Sequence, residues 1–250
     1  MSIHVVSPHR RPLPDTTQCA VLYQNDPPPV DADLIGIVSY TTHFAFGEAS
    51  HATQRTLQLA ARRAGANLAK ITAYFCDYQN PYRPETFTAT LYKVDNIQAY
   101  EKEIAWNSRR RLTFADFKGR RDSVTPDTTL SHSQCEIFGA AARFDCMTSW
   151  IDPDRAESAR LLIHEQGSFD LAECYNRQLR PFLRNHFLSL TASCQRPASQ
   201  IMAAYQARQA EYDSATDHGL DDARQREWSH KIAVALADKT DTSFRGVVRM

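Results

Sequence analysis

One short stretch of the chain combines residue types that can hold a metal ion and activate water. His164 and Glu165 are followed by Gln166, Gly167 and Ser168. In the H-E-x-x-H zinc motif, two histidines four residues apart share one face of a helix, and the glutamate takes the proton of a water molecule. Ser168 stands where that motif has its second histidine, and a neutral hydroxyl is a weak zinc ligand. The stretch therefore offers His164 as a metal ligand and Glu165 as a general base, without the usual histidine pair.

A second polar cluster, Tyr212 to Gly219, supplies the best candidate for a further ligand. His218 lies in a predicted short loop between helices, next to Gly219 and close to Tyr212 and Asp213. A carboxylate can orient a metal-binding imidazole through a hydrogen bond. We therefore predict that His218 is a metal ligand supported by Tyr212 and Asp213. The alternative is an exposed loop histidine without such a role.

Other ways of completing the site stay open. Asp170 lies two positions beyond Ser168, about 200° round an ideal helix, so it could replace the absent ligand only if the helix bends at Gly167. A water molecule held by Ser168 could also fill the coordination sphere. A serine hydrolase with His164 as the base of Ser168 is a further alternative, but the sequence offers no oxyanion hole.

Composition excludes several classes of partner. The chain has 250 residues, with 29 Lys plus Arg against 29 Asp plus Glu. It therefore has no net positive charge that would attract nucleic acid. No apolar run is long enough to span a membrane, and Met1 to Arg11 lacks the apolar centre of a signal peptide. We expect a cytoplasmic protein as the sequence is written, or a periplasmic or secreted one if an export signal was removed. The expected partner is a peptide or a protein.

The six cysteines are widely spaced and form no C-x-x-C pair. This spacing predicts reduced and mostly buried thiols. A disulfide between Cys135 and Cys146 across a hairpin is the alternative for an exported protein.

Apolar periodicity predicts the elements that position these residues. In the first part, strands are expected at Cys19–Tyr23, Leu34–Tyr40, Asn67–Phe75 and Thr86–Val94, with a helix that begins after Gly47 and ends at Gly65. In the second part, we expect a hairpin of two strands, Thr128–Phe138 and Ala140–Trp150, joined at Gly139. A long helix should follow from Asp152-Pro153 to Phe187, with bends or breaks at Gly167 and Pro181. After a loop at Arg196-Pro197, two further helices are expected at Ser199–Tyr212 and Asp221–Ala237.

The predicted organisation has five segments: a flexible N-terminus (1–14), a small α/β domain (15–95), a linker that leads into the second region (96–122), a zincin-like domain (123–240) and a C-terminal tail (241–250). Within the small domain, Ala64-Gly65-Ala66-Asn67 closes the helix and opens a strand. It resembles the G-A-N turn of small bacterial envelope and lipoprotein domains. An envelope-associated structural module is therefore a third candidate function.

The second part carries a resemblance in four ordered motifs, which are Trp106 with Leu112-Thr113-Phe114-Ala115-Asp116-Phe117, then Ser149-Trp150, then His164 to Asp170, then Tyr212 to Gly219 with Gln225 and Trp228. They resemble a bacterial domain-of-unknown-function family described as secreted zinc-dependent proteases, whose patterns are W…L-T-W-x-D-F, S-W, H-E-Q-x-H-F-D and Y-D-x-x-T-x-H…Q-x-x-W. The match covers about half of the chain. The resemblance implies that His164 and His218 bind zinc and that Glu165 is the general base. Ser168 departs from the family pattern.

The sequence thus predicts an α+β protein, with a small N-terminal α/β unit followed by a zincin-like region that contains a β-hairpin and several helices. The favoured function is a degenerate zinc metallopeptidase in which peptide-bond hydrolysis is weak or lost and zinc binding is weak or absent. Two alternatives stay open: a pseudoenzyme that binds a peptide or protein without cleaving it, and an active zinc peptidase with an altered ligand set.

Overall fold

Two units that each build their own core make up the chain. The computed structural model describes residues 2–5, 11–42, 50–76, 84–120, 129–130, 133–134, 142–152, 158–186 and 192–237. The first unit spans Met1–Lys102 and the second Glu103–Met250. Helices and strands occur in both, which confirms the predicted α+β class. The segment 96–122, predicted as a linker, divides between the two units.

A five-stranded sheet and one α-helix form the described part of the first unit. The elements are β1 (Ser2–Val5), β2 (Ala20–Leu22), β3 (Asp33–Thr42), α1 (His51–Ala64), β4 (Leu68–Phe75) and β5 (Glu85–Lys93). The strand order is β1-β3-β5-β4-β2, with β2 parallel to β4 and the other neighbours antiparallel. β1 was not predicted, whereas the other four strands and the helix lie where the apolar pattern placed them.

Local side-chain chemistry sets both ends of α1. The Ser50 side chain accepts a hydrogen bond from the Thr53 backbone N–H at 3.3 Å, which satisfies one of the unpaired donors of the first turn. Gly65 follows the last turn with a φ of 81°, a left-handed conformation that glycine adopts without steric cost. The predicted end of the helix at Gly65 is therefore confirmed.

The asparagine of the G-A-N turn joins the start of β4 to the end of β5. The Asn67 side-chain amide donates to the Val94 backbone oxygen at 2.8 Å and accepts from the Val94 backbone N–H at 2.9 Å. Both bonds are buried, so they replace hydrogen bonds that water would otherwise supply. The turn has a structural role in the first unit.

Three helices and several short strands form the described part of the second unit. The elements are β6 (Glu103–Ala105), β7 (Thr129–Leu130), β8 (Ser133–Gln134), β9 (Arg143–Asp145), β10 (Trp150–Ile151), α2 (Ala159–His186), α3 (Ala192–Thr216) and α4 (Asp222–Ala237). β9 pairs with β6 and β8, and β10 pairs with β7, all antiparallel. The predicted hairpin therefore corresponds to the β8–β9 and β7–β10 pairs, while Gly139 lies outside the described residues.

The predicted loop at Arg196-Pro197 is wrong, because both residues lie within α3. Proline removes one backbone hydrogen bond near the start of this helix, and the later turns bury Ile201, Tyr205 and Tyr212 in the core. Packing of these side chains outweighs the local cost. In the same way, α2 runs unbroken through Gly167 and Pro181, where a bend or break was predicted.

The start of α2 also differs from the prediction. The helix begins at Ala159, and Asp152 lies outside it. Ser158 accepts a hydrogen bond from the Leu161 backbone N–H at 3.4 Å, as a capping side chain does. Residues 153–157, including Pro153, are outside the described part of the chain.

Helix α2 organises the second unit because it buries both apolar and polar side chains. Its apolar side chains enter the core with residues of β9, α3 and α4; from α2 these are Phe169, Leu171, Ala172, Cys174 and Tyr175. Its polar residues His164, Glu165, Gln166 and Ser168 are also buried. Burying a polar side chain is unfavourable unless it is hydrogen-bonded or ion-paired, so these four side chains need partners.

Cysteine burial agrees with the sequence prediction where the structure describes it. Cys19, Cys146 and Cys174 are buried, whereas Cys76 is partly exposed. Burial raises the pKa of the Cys19 thiol to about 11, which makes it unreactive near neutral pH. Cys135 lies outside the described residues, so the alternative disulfide with Cys146 stays a prediction.

Within the described part of the chain, no helix combines the length and the apolar character needed to cross a membrane.

Candidate metal centre

Three side chains from separate segments of the second unit converge on one point. His164 comes from α2, Asp213 from the last turn of α3, and His218 from the turn that follows α3. One ligand atom from each residue lies within 4.8 Å of the other two. His164 is buried, Asp213 is partly buried and His218 is exposed, so the cluster reaches the surface at His218.

Hydrogen bonds around Tyr212 fix the orientation of a neighbouring amide. The Tyr212 hydroxyl donates to the His164 backbone oxygen at 3.0 Å, since a carbonyl can only accept. Burial raises the pKa of Tyr212, which keeps the hydroxyl protonated. The Tyr212 hydroxyl oxygen also accepts a hydrogen bond from Gln225 Nε2 at 2.8 Å. The amide oxygen of Gln225 is therefore the atom that faces the His164 ring.

This orientation determines which nitrogen of His164 carries the hydrogen. Gln225 Oε1 lies 3.3 Å from His164 Nδ1 and can only accept. Thr216 Oγ1 lies 3.2 Å from the same nitrogen, and its hydroxyl hydrogen is donated to the Tyr212 backbone oxygen at 2.8 Å. Two acceptors thus face Nδ1, which must be protonated. In the neutral imidazole the lone pair is on Nε2.

The Nε2 lone pair faces a carboxylate. Asp213 Oδ1 lies 3.4 Å from His164 Nε2. Two electron-rich atoms at this distance need a proton or a cation between them. Burial opposes a charge on His164, but the hydrogen bond to Asp213 and the charge of Glu165 outweigh it and raise the pKa of His164 above its ordinary 6.5.

Aromatic packing holds the His164 ring in this position. The ring stacks on Tyr212 with centroids 4.6 Å apart and an interplanar angle of 8°, and Trp228 packs edge-on against Tyr212. Gly167 makes the stack possible, because a Cβ at that position would lie 2.2 Å from the Tyr212 hydroxyl oxygen. Glycine in the middle of α2 is therefore required by the close approach of α3.

The turn after α3 delivers His218 through a strained backbone. Asp217, His218 and Gly219 have φ values of 49°, 51° and 84°. Left-handed conformations are unfavourable for residues with a side chain and are found where surrounding structure enforces them. Gly219 has a second constraint, since a Cβ there would lie 2.7 Å from His164 Cβ. The turn therefore packs directly on α2 and brings His218 to the cluster.

Glu165, the predicted general base, follows His164 on α2 and is 6% exposed. Its negative charge contributes to the raised pKa values of His164 and Tyr212. Among the described residues, the group that could hold a metal ion does not include Glu165.

Ser168 lies outside the cluster, although it occupies the position of the absent histidine. Its Oγ accepts a hydrogen bond from Gln209 Nε2 at 2.9 Å. The nitrogens of His164 face Gln225, Thr216 and Asp213, so Ser168 and His164 do not form the nucleophile–base contact that serine chemistry requires.

Asp170, considered as a substitute ligand, holds a neighbouring segment against α2 instead. Its Oδ1 accepts from Trp106 Nε1 and from Gln166 Nε2, both at 2.8 Å, and its Oδ2 pairs with Arg111 at 2.9 Å. Gln166 also accepts from the Leu112 backbone N–H at 2.8 Å. The carboxylate therefore accepts hydrogen bonds that connect the first motif of the resemblance with α2.

Sequence reasoning placed Asp213 beside His218 as a supporting residue, whereas the structure places it opposite His164. It also missed Gln209, which lies four residues before Asp213 on α3 and donates to its Oδ1 at 2.9 Å. The spacing of four residues is the signal that could have identified this pair, since such side chains share one helix face.

Comparison of the chain with protein-family models, curated proteins and solved structures gives no match.

Proposed function

We propose that the chain binds zinc through His164, Asp213 and His218 and is a hydrolase that cleaves peptide bonds with Glu165 as general base. The observation that carries this proposal is the pair of electron-rich atoms, His164 Nε2 and Asp213 Oδ1, which face each other at 3.4 Å with His218 beside them. A cation between these groups satisfies all three.

The donor set fits zinc. Two imidazoles and one carboxylate make three protein ligands, the number that leaves a position open at catalytic zinc sites. The hydrogen bonds from His164 Nδ1 to Gln225 and Thr216 keep the lone pair on Nε2 and orient the ring, as partners of metal-binding histidines do. Asp213 thus supplies the ligand that position 168 does not.

The zinc ion and Glu165 would have separate roles in hydrolysis. A bound zinc ion supplies the Lewis acidity that makes water a nucleophile near neutral pH. Glu165 accepts the proton of the attacking water and passes it to the leaving amine. Peptide bonds are proposed as the substrate because the four ordered motifs resemble those of the secreted zinc-dependent proteases.

Zinc content of the protein, stripped by a chelator and then reloaded, tests the ligand set. We expect about one zinc per chain in the wild type and a loss of zinc in His164→Ala, Asp213→Asn and His218→Ala. His230→Ala and Asp217→Asn serve as matched controls, since His230 and Asp217 are exposed and lie outside the cluster. A wild type that takes up no zinc contradicts the proposal.

Peptide hydrolysis by Glu165→Gln separates the enzyme from a pseudoenzyme. We expect this variant to keep its zinc and to lose hydrolysis by a factor of about 10²–10⁴, the usual contribution of a general base. Zinc-loaded wild type that cleaves no peptide in a diverse library points to the pseudoenzyme, which binds a peptide or protein partner without cutting it.

A further inference from the structure

Gln209 connects the position of the absent histidine with the carboxylate of the proposed metal centre. Its Nε2 donates to Ser168 Oγ and to Asp213 Oδ1, both at 2.9 Å. Asp213 Oδ1 is also the atom that faces His164 Nε2 at 3.4 Å. A single amide group therefore uses both of its hydrogens to join α2 to the carboxylate.

Only one orientation of this amide is compatible with its neighbours. A carboxylate accepts hydrogen bonds and cannot donate, so Nε2 must face Asp213. The oxygen Oε1 is then buried and has no hydrogen-bond partner among the described residues. A buried acceptor in that state is unfavourable for stability. An apolar side chain of the same length would avoid this cost, which indicates that Gln209 serves a purpose other than stability.

The amide restrains a side chain that otherwise has freedom to move. The Asp213 side chain is 28% exposed, whereas that of His164 is 5% exposed. A partly exposed carboxylate can adopt several rotamers, and holding one of them beforehand removes an entropic cost of metal binding. The hydrogen bond from Gln209 selects the rotamer that faces His164.

Ser168 completes this arrangement from α2. Its side chain is 3% exposed, and its hydroxyl oxygen accepts the second hydrogen of the Gln209 amide. An imidazole at position 168 is larger than a hydroxymethyl group and would occupy the space of the amide. Serine at this position is therefore matched to a site in which the carboxylate of Asp213 is the ligand.

We infer that Gln209 is a positioning residue that holds Asp213 in the geometry of a metal ligand, with Ser168 as the fixed anchor of its amide. This inference rests on the proposed zinc site. It accounts for a metal site that has no second histidine on α2.

Substitution of Gln209 by methionine tests the inference, because methionine has a similar length and no hydrogen-bonding amide. We expect Gln209→Met to weaken zinc binding about 10- to 100-fold in a competitive chelator titration. The metal-free variant should keep its thermal stability, since removal of the unpaired buried oxygen offsets the loss of the hydrogen bonds to Ser168 and Asp213. Gln206→Met is the matched control: Gln206 is exposed on the same helix, and neither quantity should change.

A spectroscopic readout and a second variant sharpen the test. The visible absorption spectrum of the Co²⁺-loaded protein should differ between Gln209→Met and wild type, because the carboxylate ligand is displaced. Ser168→Ala should weaken zinc binding less than Gln209→Met, and the double variant should bind no more weakly than Gln209→Met alone, since both changes act through one amide.

The outcomes test this inference separately from the proposed zinc site on which it rests. Wild type that binds no zinc removes the metal site and the inference together. Zinc binding that is equally tight in wild type and Gln209→Met overturns the inference and leaves the zinc site intact. A loss of stability in metal-free Gln209→Met with an unchanged Co²⁺ spectrum would assign Gln209 a structural role and also overturn the inference.

Discussion

The chemistry of the candidate site depends on which nitrogen of His164 carries a hydrogen. Tyr212, Gln225 and Thr216 place two acceptors at Nδ1 and leave Nε2 to face Asp213. In the metal-free protein a proton on Nε2 would satisfy this atom and Asp213 together. In the proposed zinc complex the ion would take the place of that proton, so metal uptake should release it.

The raised pKa of His164 gives a prediction for the metal-free protein. Because the folded-state pKa lies above 6.5, protonation of His164 stabilises the fold. That contribution is complete below pH 6.5 and is lost as the pH rises through the folded-state pKa. NMR titration of the imidazole should therefore give a midpoint above 6.5 in chelator-treated protein.

Asp213→Asn provides the control for this titration. Burial alone lowers the pKa of His164, and the hydrogen bond to Asp213 is the main opposing cause. The midpoint should fall in the variant, and the loss of stability at higher pH should diminish. An unchanged midpoint would show that Asp213 does not interact with the ring.

Gly167 yields a prediction opposite to helix propensity. Alanine is usually better than glycine inside a helix by about 1 kcal/mol. Here the added Cβ would lie 2.2 Å from the Tyr212 hydroxyl oxygen, so we expect Gly167→Ala to lower the free energy of unfolding by about 1–3 kcal/mol. Urea denaturation measures this change. The penalty should shrink in a Tyr212→Phe background, and stabilisation by Gly167→Ala in the wild type would contradict the packing.

The turn between α3 and α4 holds the proposed ligand His218 at a cost in stability. Asp217 and His218 both have positive φ, and glycine adopts such conformations more readily. We expect Asp217→Gly and His218→Gly each to raise the free energy of unfolding of the metal-free protein by about 0.5–1 kcal/mol. Denaturant titration of chelator-treated samples measures both values.

Zinc binding should separate these two glycine variants. Asp217→Gly keeps the proposed ligands and should bind zinc, whereas His218→Gly should lose it while gaining stability. If His218→Gly binds zinc as tightly as the wild type, His218 is not a ligand and its strained backbone has another cause.

Disrupting the contact between α2 and the segment around Trp106 should lower stability without affecting zinc binding. Asp170 accepts hydrogen bonds from Trp106, Gln166 and Arg111. Asp170→Asn exchanges one of the two accepting oxygens for an amide nitrogen, which donates. We expect a loss of about 1–3 kcal/mol in stability, the cost of leaving partly buried groups unpaired, with the zinc content unchanged. Loss of zinc without loss of stability would restore Asp170 as a substitute ligand.

Sequence patterns predicted much of the architecture because they report on local physics. The apolar alternation of β3 and β5 and the glycine that ends α1 follow from strand geometry and from left-handed φ. The unbroken course of α3 through Pro197 could not be predicted, because it depends on packing against α2 and α4.

In the candidate site, too, some residues were predicted from local sequence and others depend on how the helices pack. His164 and Glu165 follow from a local motif, and His218 from its loop. The position of Asp213 opposite His164 depends on how α3 lies against α2, and the roles of Gly167 and Gly219 depend on contacts between segments distant in sequence. A helix packing contact is not encoded in any one stretch, so these roles required the folded structure.

X-ray absorption spectroscopy of the zinc-loaded protein measures the ligand set directly. We expect a first coordination sphere of two imidazoles and oxygen ligands, without sulfur, and the loss of one oxygen ligand or of the metal itself in Asp213→Asn. A coordination sphere that contains sulfur, or one that is identical in wild type and Asp213→Asn while the metal is retained, would show that zinc is held elsewhere and that His164, Asp213 and His218 do not form the site.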